Sequence, residues 1–182
     1  GIIEQQYPEG EERTVAWFLA LQALALNEEQ IAKRTSNTDE DRSAKASETA
    51  DRARSEAAPL VDVVNAASST NPQAFGYKFD QLLKNEQFAE AEALLPIARK
   101  NDWGQTKGNL AEASLLMARG QATRAAGGDG MQYFARAAAA GRRATDVAPW
   151  RGVTWQTLAE AMLEVGNLEE ARLAYAQVIQ RD

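Results

Sequence analysis

One run of small and apolar residues restricts the folds open to this chain more than any other feature. Ala46, Ala50, Ala53, Ala57, Leu60, Val64 and Ala67 follow one another at intervals of 4, 3, 4, 3, 4 and 3. A helix of 3.6 residues per turn brings such positions onto one continuous stripe, and a strand does not. The alanines in the stripe let a neighbouring helix axis come close. The spacing therefore predicts one long helix from about Asp39 to Ser68, packed tightly against a partner. Pro59 falls inside it and costs a backbone hydrogen bond, so a kink or restart is expected there. On the opposite face, Asp41/Lys45 and Glu48/Arg52 stand four apart and are expected to support a solvated surface.

Helical spacing continues along the chain, and no stretch alternates polar and β-branched apolar residues as a strand would. Seven more helices are expected. The first runs from about Glu9 to Arg34 and ends at the polar break Thr35-Ser36-Asn37-Thr38. Asn71-Pro72 reads as a cap followed by a first-turn proline, opening a helix to about Lys84. Asn85-Glu86-Gln87 turns into Phe88 to Lys100. Asn101-Asp102-Trp103-Gly104 turns into Gln105 to Arg119, with an extension toward Ala126. Gly127 to Gly130 is a loop, Met131 to Val147 a helix stopped by Pro149, and Arg151 to Val165 a helix stopped by Gly166-Asn167. The last helix begins at Leu168. Short connections between eight helices imply four antiparallel pairs.

Composition narrows the chemistry. Alanine supplies 36 of 182 residues, while His and Cys are both absent. Disulfides, Cys/His zinc sites, thiol nucleophiles and Ser-His-Asp triads are thereby excluded. The formal charge of −6 gives no basic surface for a nucleic-acid backbone. The most apolar run, Val15 to Leu26, has twelve residues, against about 20 needed to span a bilayer. The chain begins Gly-Ile-Ile without an initiating Met, so a fragment of a longer protein is expected, with a targeting segment removed. The compartment stays open between cytoplasm and periplasm.

The last helix pair reads Trp155-x2-Leu158-Ala159-x2-Met162, then Ala171-x3-Tyr175-x2-Val178. Upstream, Phe75-x2-Lys78-Phe79-x2-Leu82 precedes Ala91-x3-Leu95-x2-Ala98, and in both copies the alanine follows the large aromatic by 16 positions. A third copy is interrupted. Asn109, Glu112, Ala113 and Leu116 pair with Ala137-x3-Gly141-x2-Ala144 after twelve inserted residues near Gly120 to Gly130. A fourth is elongated, with Trp17-x2-Ala20-Leu21-x2-Leu24 paired to Ala57-x3-Val61-x2-Val64. This pattern resembles the tetratricopeptide repeat. The resemblance implies an all-α, right-handed superhelix of about four antiparallel helix pairs. The expected pairs cover residues 9–70 (elongated), 72–102 (regular), 105–148 (with the insertion) and 150–182. Arrays of this kind usually end on a polar capping helix. Here Leu173 and Ile179 would be left partly uncovered.

The resemblance also implies a function. In tetratricopeptide proteins the first helix of each pair lines a concave groove that holds a peptide or protein. Carried over, the groove residues are Phe18 and Gln22, Gly76, Asp80 and Lys84, Lys107, Leu110 and Ser114, and Gln156 and Glu160. The family's carboxylate clamp needs Lys and Asn at places where this chain has Phe18, Gly76, Leu110 and Gln156, so capture of chaperone tails is not implied. The expected function is a non-enzymatic interaction scaffold with a protein or peptide partner and no cofactor or metal. The alternative is an accessory domain of a larger bacterial secretion, export or envelope assembly, guiding a polymer or docking subunits.

Other candidate sites have plainer explanations. Gly127-Gly128-Asp129-Gly130 lacks the Lys-Ser/Thr of a phosphate loop and follows a helix. Asp39-Glu40-Asp41 fits a helix N-terminus. Glu169 and Glu170 diverge by about 100 degrees on a helix and cannot converge on one substrate. Trp150, beside Arg151 in a tight turn, is expected to plug the junction between two pairs, with exposed recognition as the alternative. Phe18, Leu19, Leu21, Leu24 and Leu26 point in nearly all directions, which suggests burial on several sides or self-association through Phe18 and Leu19.

Overall fold

The computed structural model describes residues 10–36, 38–100 and 104–181. The expected starting residue Glu9, the break residue Asn37 and the turn residues 101–103 lie outside the described residues. Among the described residues the fold is all helical: α1 (Glu11–Thr35), α2 (Glu40–Ala57), a 3-10 turn (Ala58–Leu60), α3 (Val61–Ala67), α4 (Pro72–Lys84), α5 (Phe88–Lys100), α6 (Gly104–Ala125), α7 (Met131–Val147), α8 (Gly152–Val165) and α9 (Leu168–Ile179). They fall into two compact units divided between Lys78 and Phe79, within α4.

The helices start and stop where side chains satisfy the free backbone groups at their ends. Asp39 accepts from the Arg42 N–H at 3.0 Å and caps α2, which accounts for the acidic cluster there. The Asn71 carboxamide oxygen accepts from the N–H groups of Gln73 at 2.9 Å and Ala74 at 3.1 Å. Asn167 caps α9 in the same way. The proline break also falls as expected. Pro59 sits in the 3-10 turn that separates α2 from α3, because its ring removes an N–H and crowds the preceding turn.

In the first unit, α1 packs along α2 and α3. The stripe alanines Ala46, Ala50, Ala53, Ala57 and Ala67, with Val64, are all buried. Ala53, Ala57, Val64 and Ala67 form one core with Val15, Phe18, Leu21 and Ala25 of α1. The charge pairs differ from expectation. Among the described residues, Asp41/Lys45 and Glu48/Arg52 form no ion pair; instead Arg54 pairs with Asp51 on its own helix and with Glu29 across on α1. A pair that bridges two helices needs both registers fixed, which the α2 spacing alone does not supply.

In the second unit, α5 packs on α6, α6 on α7, α7 on α8 and α8 on α9, and α6 also touches α8. The small residues of the repeat pattern fill the contacts. Ala91, Ala98, Ala113, Ala137, Ala144, Ala159 and Ala171 are buried. At Gly141 the backbone of α8 comes so close that an added Cβ would lie 3.0 Å from the Leu158 Cα. The inserted residues of the third pair lengthen α6 to Ala125 before the glycine loop.

The two regular pairs share one turn. After α4, the Glu86 N–H donates to Leu83 O at 3.1 Å and Gln87 N–H to Leu82 O at 2.8 Å. After α8, the Gly166 N–H donates to Leu163 O at 3.0 Å and Asn167 N–H to Met162 O at 2.9 Å. Glu86 and Gly166, eighty residues apart in the sequence, both adopt positive φ, 57 and 84 degrees. This is the left-handed exit that ends a helix by satisfying its last carbonyls.

Candidate functional site

The expected groove residues do not share one environment. Phe18 is wholly buried in the core of the first unit, with its ring edge-on to Tyr77 at 4.6 Å and an interplanar angle of 82 degrees. It can line neither a groove nor a self-association surface, and both expectations for Phe18 are corrected. The physical reason is a register shift of one residue. The α2 stripe takes Phe18 as its large neighbour and leaves Trp17, the expected repeat anchor, 46% exposed. Leu19 packs partly buried against the same core. Gln22 is half-buried on α1, and Gly76 is half-buried on α4.

The second unit holds the other seven. Asp80 and Lys84 lie one turn apart on α4; both residues are exposed, although neighbouring groups partly desolvate the Asp80 carboxyl. Lys107, half-buried, and Ser114, exposed, lie seven residues apart on α6. Gln156 and Glu160 are exposed on α8, where the Gln156 carboxamide donates to Glu160 Oε1 at 2.9 Å. Leu110 is half-buried between Lys107 and Ser114 on α6.

Electrostatics tie three of the helices together. Partial burial raises the Asp80 carboxyl above its ordinary value, against the opposing pull of Lys84 and Lys107. Partial burial and the Arg151 cation push Lys107 below its ordinary value, against the pull of Asp80. Desolvation disfavours the charged form of each group, and neighbours then add or subtract. Asp80, Lys84, Lys107 and Arg151 thus act on one another from α4, α6 and the N-cap of α8. Such a face offers ammonium and guanidinium donors together with the Ser114 hydroxyl and the Gln156 amide. That inventory suits hydrogen bonding to a polypeptide.

The junction before α8 is closed by a residue other than the expected one. Trp150 is 70% exposed and plugs nothing. The indole N–H of Trp155 donates to the Pro149 carbonyl at 2.7 Å. The Arg181 guanidinium donates to the same carbonyl at 2.6 Å and lies 5.3 Å from the Trp155 ring centre. Thr154, fully buried, donates within hydrogen-bond distance of the carbonyls of Ala148 and Arg151. At the far end, Leu173 and Ile179 are 53% and 80% exposed.

Sequence reasoning missed a second polar surface, on α5, α6 and α7. Arg99 and Arg143 both donate to Glu112 Oε2, at 2.7 and 2.9 Å. Arg119 donates to Glu92 at 2.7 Å and to the Phe88 carbonyl at 3.3 Å. The available signal was density, since five arginines (119, 124, 136, 142 and 143) occur within 25 residues. Compared with family models, with curated proteins and with solved structures, the chain matches none of them. Among the described residues no helix is long and apolar enough to cross a membrane.

Proposed function

We propose that this chain is a non-enzymatic scaffold of tetratricopeptide-like helix pairs that holds a partner protein or peptide. In this reading α4, α6 and α8 are the first helices of successive pairs. The exposed Asp80, Lys84, Ser114, Gln156 and Glu160, with the half-buried Lys107, line the binding groove. The observation that carries the reading is the recurrence of one turn, at Glu86-Gln87 and at Gly166-Asn167, in pairs with the same internal spacing. A repeated hairpin stacks its neighbours and leaves a continuous face for a ligand. The contact between α6 and α8 supports it, because first helices of neighbouring pairs adjoin in such stacks. The coupling of Asp80, Lys84, Lys107 and Arg151 supports a shared face as well.

The test is a pair of surface variants. Lys84→Glu and Gln156→Ala remove groove donors at exposed positions, so they are expected to weaken partner binding while leaving the melting temperature nearly unchanged. Undiminished binding by both variants contradicts the groove.

A further inference from the structure

We propose that the arginine-lined cleft on α5, α6 and α7 is a second docking site, taking a short acidic peptide segment. Two hollows meet there. One, of about 490 Å³, is lined by Arg99, Gln105, Asn109, Arg143, Asp146 and Val147. The other, of about 350 Å³, includes Arg99, Glu112, Arg119 and Arg136 over Leu115 and Leu116. Arg99 lines both. Each volume falls in the range of ordinary ligand sites.

The charge balance of the cleft selects the occupant. Four guanidiniums face three carboxylates, Glu92, Glu112 and Asp146, in a chain whose overall charge is −6. Glu112 is shared by Arg99 and Arg143, so one half-buried carboxylate answers two cations. Arg119 donates to Glu92 and to the Phe88 carbonyl through one of its terminal nitrogens. Arg136 has no hydrogen-bond or ion-pair partner among the described residues, and it lines the cleft. An incoming carboxylate can take Arg136 and the unanswered share of the Arg99–Arg143 pair, in the forked geometry guanidinium favours. Leu95, Leu115 and Leu116 lie buried beneath these groups, and an apolar floor strengthens charge interactions above it.

The amides of Gln105 and Asn109 offer further polar contacts at the other end of the cleft. Side-chain carboxylates for the guanidiniums, and backbone carbonyls for the Gln105 and Asn109 amides, describe a glutamate- or aspartate-rich segment.

The test is fluorescence anisotropy of labelled hexaglutamate with the whole chain, at low and high salt. Binding is expected at low salt, weakened roughly tenfold by Arg136→Glu, a substitution at an exposed residue with no partner among the described residues. Arg34→Glu, an exposed change in the first unit that alters net charge equally, is expected to leave affinity within twofold. Lys84→Glu, which tests the groove, is expected to do the same, and labelled hexalysine should not bind. No hexaglutamate binding up to roughly 1 mM, or equal losses with Arg34→Glu and Arg136→Glu, would overturn the proposal. Loss with Lys84→Glu but not with Arg136→Glu would assign the peptide to the groove and overturn it equally.

Discussion

Asp80 shows how one residue records its surroundings. Its carboxyl is raised above the ordinary value of 3.8 by burial, so the folded protein holds the proton at pH values where the unfolded chain has released it. Between those two values stability falls as pH rises, because the native state then binds more protons than the unfolded state. Asp80→Asn is expected to flatten that part of the curve of urea midpoint against pH. An unchanged slope would show that Asp80 does not contribute to it. Glu86 gives a second residue-scale test. It adopts φ of 57 degrees, where a Cβ costs about 1 kcal/mol or more and glycine costs nothing steric. Glu86→Gly is expected to raise unfolding free energy by about 0.5–1 kcal/mol, after the extra entropy of a glycine in the unfolded chain. A loss of stability in denaturant titration would contradict the left-handed exit at this turn.

At the scale of the element, helix ends were the most legible part of the sequence. Asp39, Asn71, Asn167 and Gly166 punctuate the chain through chemistry that acts over three or four residues, so local reading suffices. The faces of α1 were not legible. Its apolar residues surround the axis, and only the α2 stripe decides that Phe18 is inward and Trp17 outward. Trp150 and Trp155 present the same difficulty, since a turn can bury either ring until the Pro149 carbonyl and Arg181 select one. The arginine pairings were hidden for a related reason. Arg99 and Arg143 reach Glu112 from different helices, across separations of 13 and 31 residues. Two glycines test the packing directly. Gly141→Ala gains about 1 kcal/mol of helix propensity but drives a methyl against the α8 backbone at Leu158. A net loss of about 1–2 kcal/mol is expected. Gly76→Ala meets open space inside α4 and is expected to gain about 0.5–1 kcal/mol. Opposite signs in thermal or urea unfolding support the close approach of α7 and α8. Equal gains contradict it.

At the scale of the whole molecule, the chain spends its sequence on surface. Its small residues bring helices close, and its larger polar residues face outward along two separate tracts of the second unit. The tract proposed as a groove, from Asp80 to Glu160, mixes donors and acceptors. The cleft tract on α5, α6 and α7 is dominated by guanidinium. Of the ten residues expected to line a groove, seven lie on α4, α6 and α8 within the second unit, while Phe18 is in the core of the first. Affinity capture from the native cell extract, with wild type and a Lys84→Glu/Gln156→Ala double variant side by side, tests the scaffold most directly. The account predicts a polypeptide retained by the wild type and lost by the double variant, whose melting temperature is unchanged. Equal retention by both proteins, or no polypeptide retained by either, would contradict it.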